Sequence, residues 1–356
     1  MPPRKRLTQK DIARLAGVSQ ATVSLVLNGS PENANRIPDD TRERVMKVIR
    51  DTGYVADPIA RRMVNGQNRI LGVFTYEPAF PSDQADFFLP FLLGIEEAAQ
   101  KLGYDLLLLT GAGAGGKRKI FGNDVRLRLA DGCIILGRQF DPKELARLVA
   151  GDFPFVAVGR RDDAGGPVPY VGGDYATATA ALVSRSRDLG HTRLGFVGFK
   201  DGAESSSDRW TGFEASLEGV GLAYTHHAVG ADPDMLLDGL LAENVTCVFC
   251  TELVDANGVE AAATARGLAV PADLSIVVLG NHIRAEEPGR KFTSFAIPRE
   301  AMGYGATEML VRRVEQAAPL EQILLTCDLR EGDTLGPCPD TLSSRSSQAK
   351  PNGTND

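Results

Sequence analysis

The sequence is poor in the residues that build most catalytic and metal centres. Its four histidines, His191, His226, His227 and His282, stand at no metal-ligand spacing. No nucleophile elbow, Walker loop or GxGxxG pattern precedes a helix, so no catalytic residue, cofactor or metal is expected, and the chain does not read as an enzyme. The five cysteines, Cys133, Cys247, Cys250, Cys327 and Cys338, are an odd and sparse set in 356 residues, which argues against a disulfide framework. Cys247 and Cys250 form a CxxC, but both lie in the apolar run VTCVFC with no second pair nearby, and read as buried structural thiols. No run approaches the roughly 18 apolar residues of a membrane helix. The basic start MPPRKRLTQK is not followed by a signal-peptide core, so a cytoplasmic protein with no membrane partner is expected.

What is there is ordinary globular composition, 43% apolar and 24% charged, in a chain long enough for two or three folded units. The net charge of −7 hides an asymmetry. Up to Arg69 there are 13 Lys or Arg against 7 Asp or Glu, leaving 26 against 39 for the remainder. A small basic head thus precedes a large acidic body. Clustered positive charge attracts a polyanion, and counterion release would make that binding sensitive to salt. A merely solvated basic surface has the same composition, so composition alone leaves both readings open.

From Thr8 to Gly53 the pattern is helical, broken by GVS, NGSPENAN and DTGY, which implies several short helices. From Arg69 onward apolar runs (ILGVF, DLLLLT, GCIILG, FPFVAVG) alternate with amphipathic stretches. The rhythm resumes after YVGGD with a helix to LGH, the strand RLGFVGF, a helix through GFEASLEGVGL, and the strands TCVFC and LSIVVLG. The expected fold is α/β: an all-helical head and two similar lobes with parallel sheets covered by helices. Gly111 to Gly116 reads GAGAGG, but it lacks a Gly-Lys-Ser/Thr ending and is read as a surface loop rather than a phosphate loop. The polar end SSRSSQAKPNGTND reads as disordered, with no heptad to build a tetramer.

The densest information lies in QKDIARLAGVSQATVSLVLNG, which has helix-turn-helix spacing. Ala13 presents a small face where two helices cross, and Gly17 takes the turn. Val23 returns an apolar side chain to a core shared with Ile12 and Val26, and Ser19 is placed to cap the second helix. That leaves Gln20, Ala21, Ser24 and Leu25 towards the exposed side that would enter a major groove. Gln20 suits a two-point contact to adenine, Ala21 and Leu25 apolar contacts, and Thr22 and Ser24 phosphates or bases. Thr8, Ser19 and Asn28 complete the candidate DNA-binding set on this head.

DIARLAGVSQATVSLVLNGS, followed by IPDDTRERVMKVIRDTGYVADPIARRMVNGQ, resembles the head of the lactose- and galactose-repressor family. The resemblance continues through FFLPFLLGIEEAAQKLGYDLLLLT, LADGCIILG, LGHTRLGFVG, GLAVPADLSIVVLG and FTSFAIPREAMGYGATEML. It implies a helix-turn-helix domain over 1–57, a hinge helix and linker over 58–68, a two-lobed periplasmic-binding-protein-like body over 69–336 for effector binding and dimerisation, and a disordered tail over 337–356. The hinge helix maps to Pro58–Asn65, with Met63 as the side chain inserted into the minor groove and Arg61 beside the backbone. Where many relatives carry arginine in the recognition helix, this chain has Leu25.

In the body, the resemblance assigns effector contacts to Phe87, Phe88, Asp174 and Arg209. The family's Asn-Asp after the strand VTCVFC is replaced by Glu252 and Leu253, so Glu252 or Asp255 is expected to stand in for the usual aspartate. A ring, a carboxylate and a guanidinium suit a polyol. The implied partners are operator DNA, a second copy of the chain in a homodimer, and a small-molecule effector, a sugar. A secreted sugar-binding receptor would explain the body but not the head. His191 in LGHTRLGF is read as structural.

Overall fold

Thr8 and Asp11 start the first helix by capping each other. In α1 (Gln9–Ala16) the Asp11 main-chain N–H donates to Thr8 Oγ1 at 3.4 Å, while the Thr8 N–H donates to Asp11 Oδ2 at 2.9 Å. Gly17 ends the helix at φ 66°, a left-handed conformation that costs a side-chain-bearing residue about 1 kcal/mol. Ser19 then opens α2 (Gln20–Asn28), its Oγ accepting from the Thr22 N–H at 3.1 Å. α3 (Asp39–Thr52) closes the head, and Ile12, Ala13, Ala16, Val23 and Val45 form its core with Val26 partly buried against them. The expected turn and the expected core positions are therefore both present.

The computed structural model describes residues 7–28, 37–54, 68–77, 85–110, 118–121, 125–280 and 290–339. The hinge segment with Arg61 and Met63, the stretch Gly111 to Gly116 and the polar end from position 340 lie outside the described residues. The chain divides into two compact units, Met1–Ile70 with Arg128–Asp131, and Leu71–Leu127 with Gly132–Asp356.

The larger unit holds two α/β lobes. The first begins with β1 (Ile70–Thr75), α4 (Ala85–Leu102), β2 (Asp105–Leu109), β3 (Gly132–Leu136), α5 (Pro142–Val149), β4 (Phe155–Val158) and β5 (Tyr170–Gly173). The chain then passes to the second lobe through α6 (Tyr175–Asp188), β6 (Arg193–Val197), α7 (Glu204–Ala215), β7 (Ala223–His227), α8 (Pro233–Ala242), β8 (Cys247–Cys250), α9 (Leu253–Ala265), β9 (Ser275–Val278) and β10 (Thr293–Phe295). It returns with α10 (Arg299–Gln316) and β11 (Gln322–Leu325), and crosses once more to β12 (Leu329–Arg330). The sheet orders are β11-β5-β4-β3-β1-β2 and β12-β10-β9-β8-β6-β7. Strands β3, β4, β5, β8 and β9 are buried along their whole length, as parallel strands covered on both faces must be.

Glycines let helices approach closely. A Cβ on Gly303 of α10 would run into the Phe91 carbonyl of α4, and one on Gly94 of α4 into the Glu300 carbonyl of α10. Gly212 of α7 meets the Ala176 carbonyl of α6 in the same way. That contact also corrects the sequence reading, which runs a helix through GFEASLEGVGL. The helix instead begins at Glu204 and ends at Ala215, because Trp210, Gly212 and Phe213 form its buried face, while Gly219 and Gly221 at φ 71° and 69° turn the chain out of helix. The short strands AYTHH, TSF, QILL and LR, which carry no long apolar run, were not expected.

His191 is fully buried between β6 and the C-terminal segment. Its Nε2 lies 2.9 Å from the Gly336 carbonyl, which can only accept, and Nδ1 lies 2.9 Å from Thr246 Oγ1. Burial holds its pKa below the ordinary value, opposed by the Gly336 bond. Cys247 and Cys250 are free and buried, and burial raises both thiols. Among the described residues no group of three or more His, Cys, Asp or Glu is arranged to hold a metal ion, and no helix is long and apolar enough to cross a membrane.

Candidate nucleic-acid interface and ligand cleft

On the head, α2 buries Val23 and turns Gln20, Ala21 and Leu25 outward, with Thr22 and Ser24 half-buried beside them. Leu25 is 40% exposed, an apolar side chain kept on a face that the core does not need. The candidate hydroxyls of Thr8, Ser19 and Thr22 already have partners. Thr8 Oγ1 donates to Asp11 Oδ2 at 2.7 Å, and Ser19 Oγ lies 2.9 Å from Thr22 Oγ1 while capping α2. Capping of α1 and α2 thus holds these groups in place. The side chain of Asn28 lies outside the described residues. Lys10, Arg14, Arg44, Lys47 and Arg50 are exposed and supply the positive charge of this unit.

In the body, polar groups gather at the carboxyl ends of parallel strands, where open α/β sheets place ligands. Arg160 and Arg161 follow β4 in the first lobe. Arg160 Nε donates to both oxygens of Asp208 at 2.7 and 2.9 Å, and Arg161 Nη1 donates to Glu204 Oε2 at 2.9 Å. Asp208 and Glu204 lie one turn apart on α7 of the second lobe, so two ion pairs join the lobes. Arg161 also donates from Nη2 to the Gly137 carbonyl at 2.6 Å and stacks 3.9 Å from the Phe140 ring. Burial pushes its pKa down and Glu204 opposes the shift. Burial likewise raises the Asp208 carboxyl, against the pull of Arg160.

Arg209, the neighbour of Asp208, is anchored by Nε to the Leu279 carbonyl and by Nη1 to the Ser205 carbonyl, each at 2.6 Å. Its guanidinium lies 4.3 Å from the centre of the Tyr175 ring and 5.7 Å from that of Phe295. Burial lowers its pKa, and Tyr175, Glu252 and Cys327 act in the opposite direction. Glu252 precedes α9 and is half-buried. Asp255 gives Oδ1 to the Gly230 N–H at 2.8 Å, so of the two proposed substitutes it is Glu252 that acts on Arg209.

Asp174 stands at the first crossing between the lobes. Its Oδ1 accepts from the Thr177 N–H at 3.0 Å and caps α6. Cys327 stands at the third crossing, its thiol pushed up to about 11 by burial against the influence of Arg209. Phe87 and Phe88 meet edge-on at 4.9 Å, yet they differ in role. Phe88 belongs to the core of the first lobe, whereas Phe87 is half-buried with the Arg138 and Arg299 guanidinium groups 4.9 and 5.9 Å from its ring centre. Sequence reasoning did not single out Tyr175, Arg138, Arg161 or Arg299. The basic pair in VGRRDD, directly after a buried strand, is the signal that could have found Arg160 and Arg161.

A helix-turn-helix unit, followed in the same chain by two crossed-over α/β lobes with polar groups at their strand ends, is the architecture of ligand-responsive DNA-binding regulators. Residues 8–57 match the family described as bacterial regulatory proteins, lacI family, and residues 183–335 match the periplasmic binding protein-like domain. The chain is similar to the HTH-type transcriptional repressor CytR of Escherichia coli (strain K12), at 28% identity over 90% of this chain and 94% of that protein. It is also similar to the sucrose operon repressor of Klebsiella pneumoniae, at 30% identity over 61% of this chain and 63% of that protein. Its fold matches the crystal structure of the lac repressor dimer bound to operator and the anti-inducer ONPF, with a TM-score of 0.72 and 19% identity over 93% of this chain and all of that one. The chain thus carries a lacI-family helix-turn-helix domain and a periplasmic binding protein-like domain, and is a DNA-binding transcriptional regulator.

Proposed function

We propose that the protein is a cytoplasmic, non-enzymatic repressor that binds a pseudo-palindromic operator as a homodimer, under the control of a sugar held between the lobes. The observation that carries this reading is the presence, in one chain, of an exposed α2 face and of a body in which Arg209 lies over the Tyr175 ring within the influence of Glu252. In support, relatives over most of the chain bear the names of repressors, one of them of a sucrose operon.

In this reading the head spans 1–57, the hinge 58–68 and the body 69–336. Gln20, Ala21, Thr22, Ser24 and Leu25 meet bases or phosphates in the major groove. Thr8, Ser19, Asn28 and Arg61 hold the backbone, and Met63 wedges a minor-groove step. Phe87 stacks on the ligand, Arg209 and Glu252 bind its hydroxyls, and Asp174 offers the oxygen not used in capping. Phe88 supports Phe87 from the core. A ligand that prefers one lobe geometry shifts DNA affinity by its differential affinity for the two states.

The test is a gel shift of the full-length protein on DNA upstream of its own reading frame, with sucrose, ribose or cellobiose added. Release by one sugar is expected. Tightening by one sugar would convert the repressor into a corepressor-dependent one, and a complex indifferent to a broad sugar panel would remove sugars from the reading.

A further inference from the structure

The chain enters β1 through a short, strained segment. Arg69, just ahead of the strand, has φ 58°, a left-handed conformation that a residue bearing a Cβ keeps only when its surroundings impose it. The group that imposes it is Asp131, which precedes β3. Its two carboxylate oxygens accept from the Asn68 main-chain N–H at 2.8 and 2.9 Å, and Oδ2 also accepts from the Ile70 N–H at 3.3 Å. The Asp131 N–H donates in turn to the Ile70 carbonyl at 2.8 Å, and Asn68 Nδ2 donates to the Leu129 carbonyl at 2.9 Å. Ala130, between the two acceptors, is fully buried, so both stand on an anchored stretch of chain.

One carboxylate thus holds the N–H groups on both sides of Arg69, by charge-assisted bonds of the stronger kind. The strand pairing itself does not call for them. From Leu71 opposite Gly132 to Thr75 opposite Leu136, β1 and β3 form a parallel ladder of buried residues whose register is set by the main chain and the apolar pattern. The additional bonds fix the residues that come before the ladder. These residues group with the head in one compact unit, Met1–Ile70 with Arg128–Asp131. A loose segment here would have more conformational freedom to lose when the head docks on DNA, and would absorb a movement of the first lobe instead of passing it on.

We propose that Asp131 is a positioning residue for DNA binding. It fastens the end of the linker to the start of the first lobe and makes residues 68–70 the fixed point through which a movement of that lobe reaches the head. The proposal rests on the reading of positions 58–68 as the linker between a DNA-reading head and a ligand-responsive body.

Two readouts on the full-length protein test it. The first is trypsin cleavage after Arg69, followed by mass spectrometry well below Tm. The Arg69 side chain is exposed, so only its fastened main chain keeps this bond from the extended form that a protease requires. Cleavage there is expected to be at least about tenfold faster in Asp131→Ala than in the wild type. The second readout is fluorescence anisotropy with DNA from upstream of the reading frame and with a scrambled duplex. Asp131→Ala is expected to bind the upstream DNA about tenfold more weakly and the scrambled duplex equally well, because sequence-blind binding needs only the charge of the head. Asp131→Asn, which keeps one acceptor oxygen, should recover part of both effects. Unchanged cleavage in Asp131→Ala would overturn the proposal, as would an equal loss on both duplexes, which would make Asp131 a residue of the fold alone. Asn68→Ala, which removes the side-chain bond to Leu129, serves if Asp131→Ala does not fold: smaller shifts in the same directions support the proposal, and none in either readout overturns it. A wild-type protein that does not distinguish the duplexes would count against the operator reading, and the cleavage result would still decide whether the linker is fastened.

Discussion

Arg209 has its position fixed by two carbonyls, and in the proposed reading this holds it ready for the effector. Lysine keeps the charge but cannot reproduce both anchoring bonds and a planar face over Tyr175. Arg209→Lys is expected to weaken effector binding by about tenfold or more, on the order of 1.4 kcal/mol, and to leave operator affinity without effector unchanged. Calorimetric titration of effector, alongside DNA binding, checks both halves. His191 belongs to the fold instead. Its pKa is lowered below 6.5 by burial, so the unfolded chain takes up a proton before the folded one does. Its contribution is therefore fully present above about pH 6.5 and is lost as pH falls below that value towards its lowered folded pKa. His191→Gln should be less stable at pH 7.5 yet show a flatter loss of Tm between pH 7.5 and 5.5. An equally steep loss in the variant would assign the acid sensitivity elsewhere. At this scale the sequence was readable where one residue serves a local need. Ala13, Gly17, Ser19 and Val23 satisfy a turn and a crossing within fifteen residues, and each sits where the pattern required. Tyr175, Arg161 and Arg299 come from segments far apart in the chain, and no local pattern announces that they meet.

Helices α4 and α10 are held together through glycine. Gly303→Ala places a methyl group against the Phe91 carbonyl and should cost about 1–3 kcal/mol by overpacking. Gly305→Ala, two residues on, meets only the Val171 methyl groups at 3.5 and 3.8 Å and should instead gain a few tenths to about 1 kcal/mol by restricting the unfolded chain. Thermal unfolding of the pair gives shifts of opposite sign if the crossing is as described. Shifts of the same sign would contradict it. The elements legible in the sequence were those with continuous apolar runs, such as ILGVF, GCIILG and TCVFC, because strands buried on both faces are apolar throughout. The edge strand AYTHH is exposed over much of its length and carries no such run. The start of the helix at Glu204–Ala215 escaped because its first turns, ESSSD, are polar and weak helix formers. They are held in helix by Trp210 and Phe213, and by two carboxylates that reach the other lobe.

Across the whole chain, charge is segregated by task. The segment up to Arg69 is basic and the remainder acidic, so DNA attracts one end and repels the rest. This division and the fold class, a helix-turn-helix head with a two-lobed α/β body, were legible from sequence because they depend on long stretches. The polar cluster between the lobes was legible only in outline, since it depends on which carboxylates the first lobe's arginines take up. The most direct test of the account is fluorescence anisotropy of the full-length protein with DNA from upstream of its own reading frame and with a scrambled duplex, each at about 50 and 200 mM salt. The account expects the upstream DNA to bind about a thousandfold tighter than the scrambled duplex, and both to weaken steeply with salt. Equal affinity for the two duplexes at both salt concentrations would contradict it.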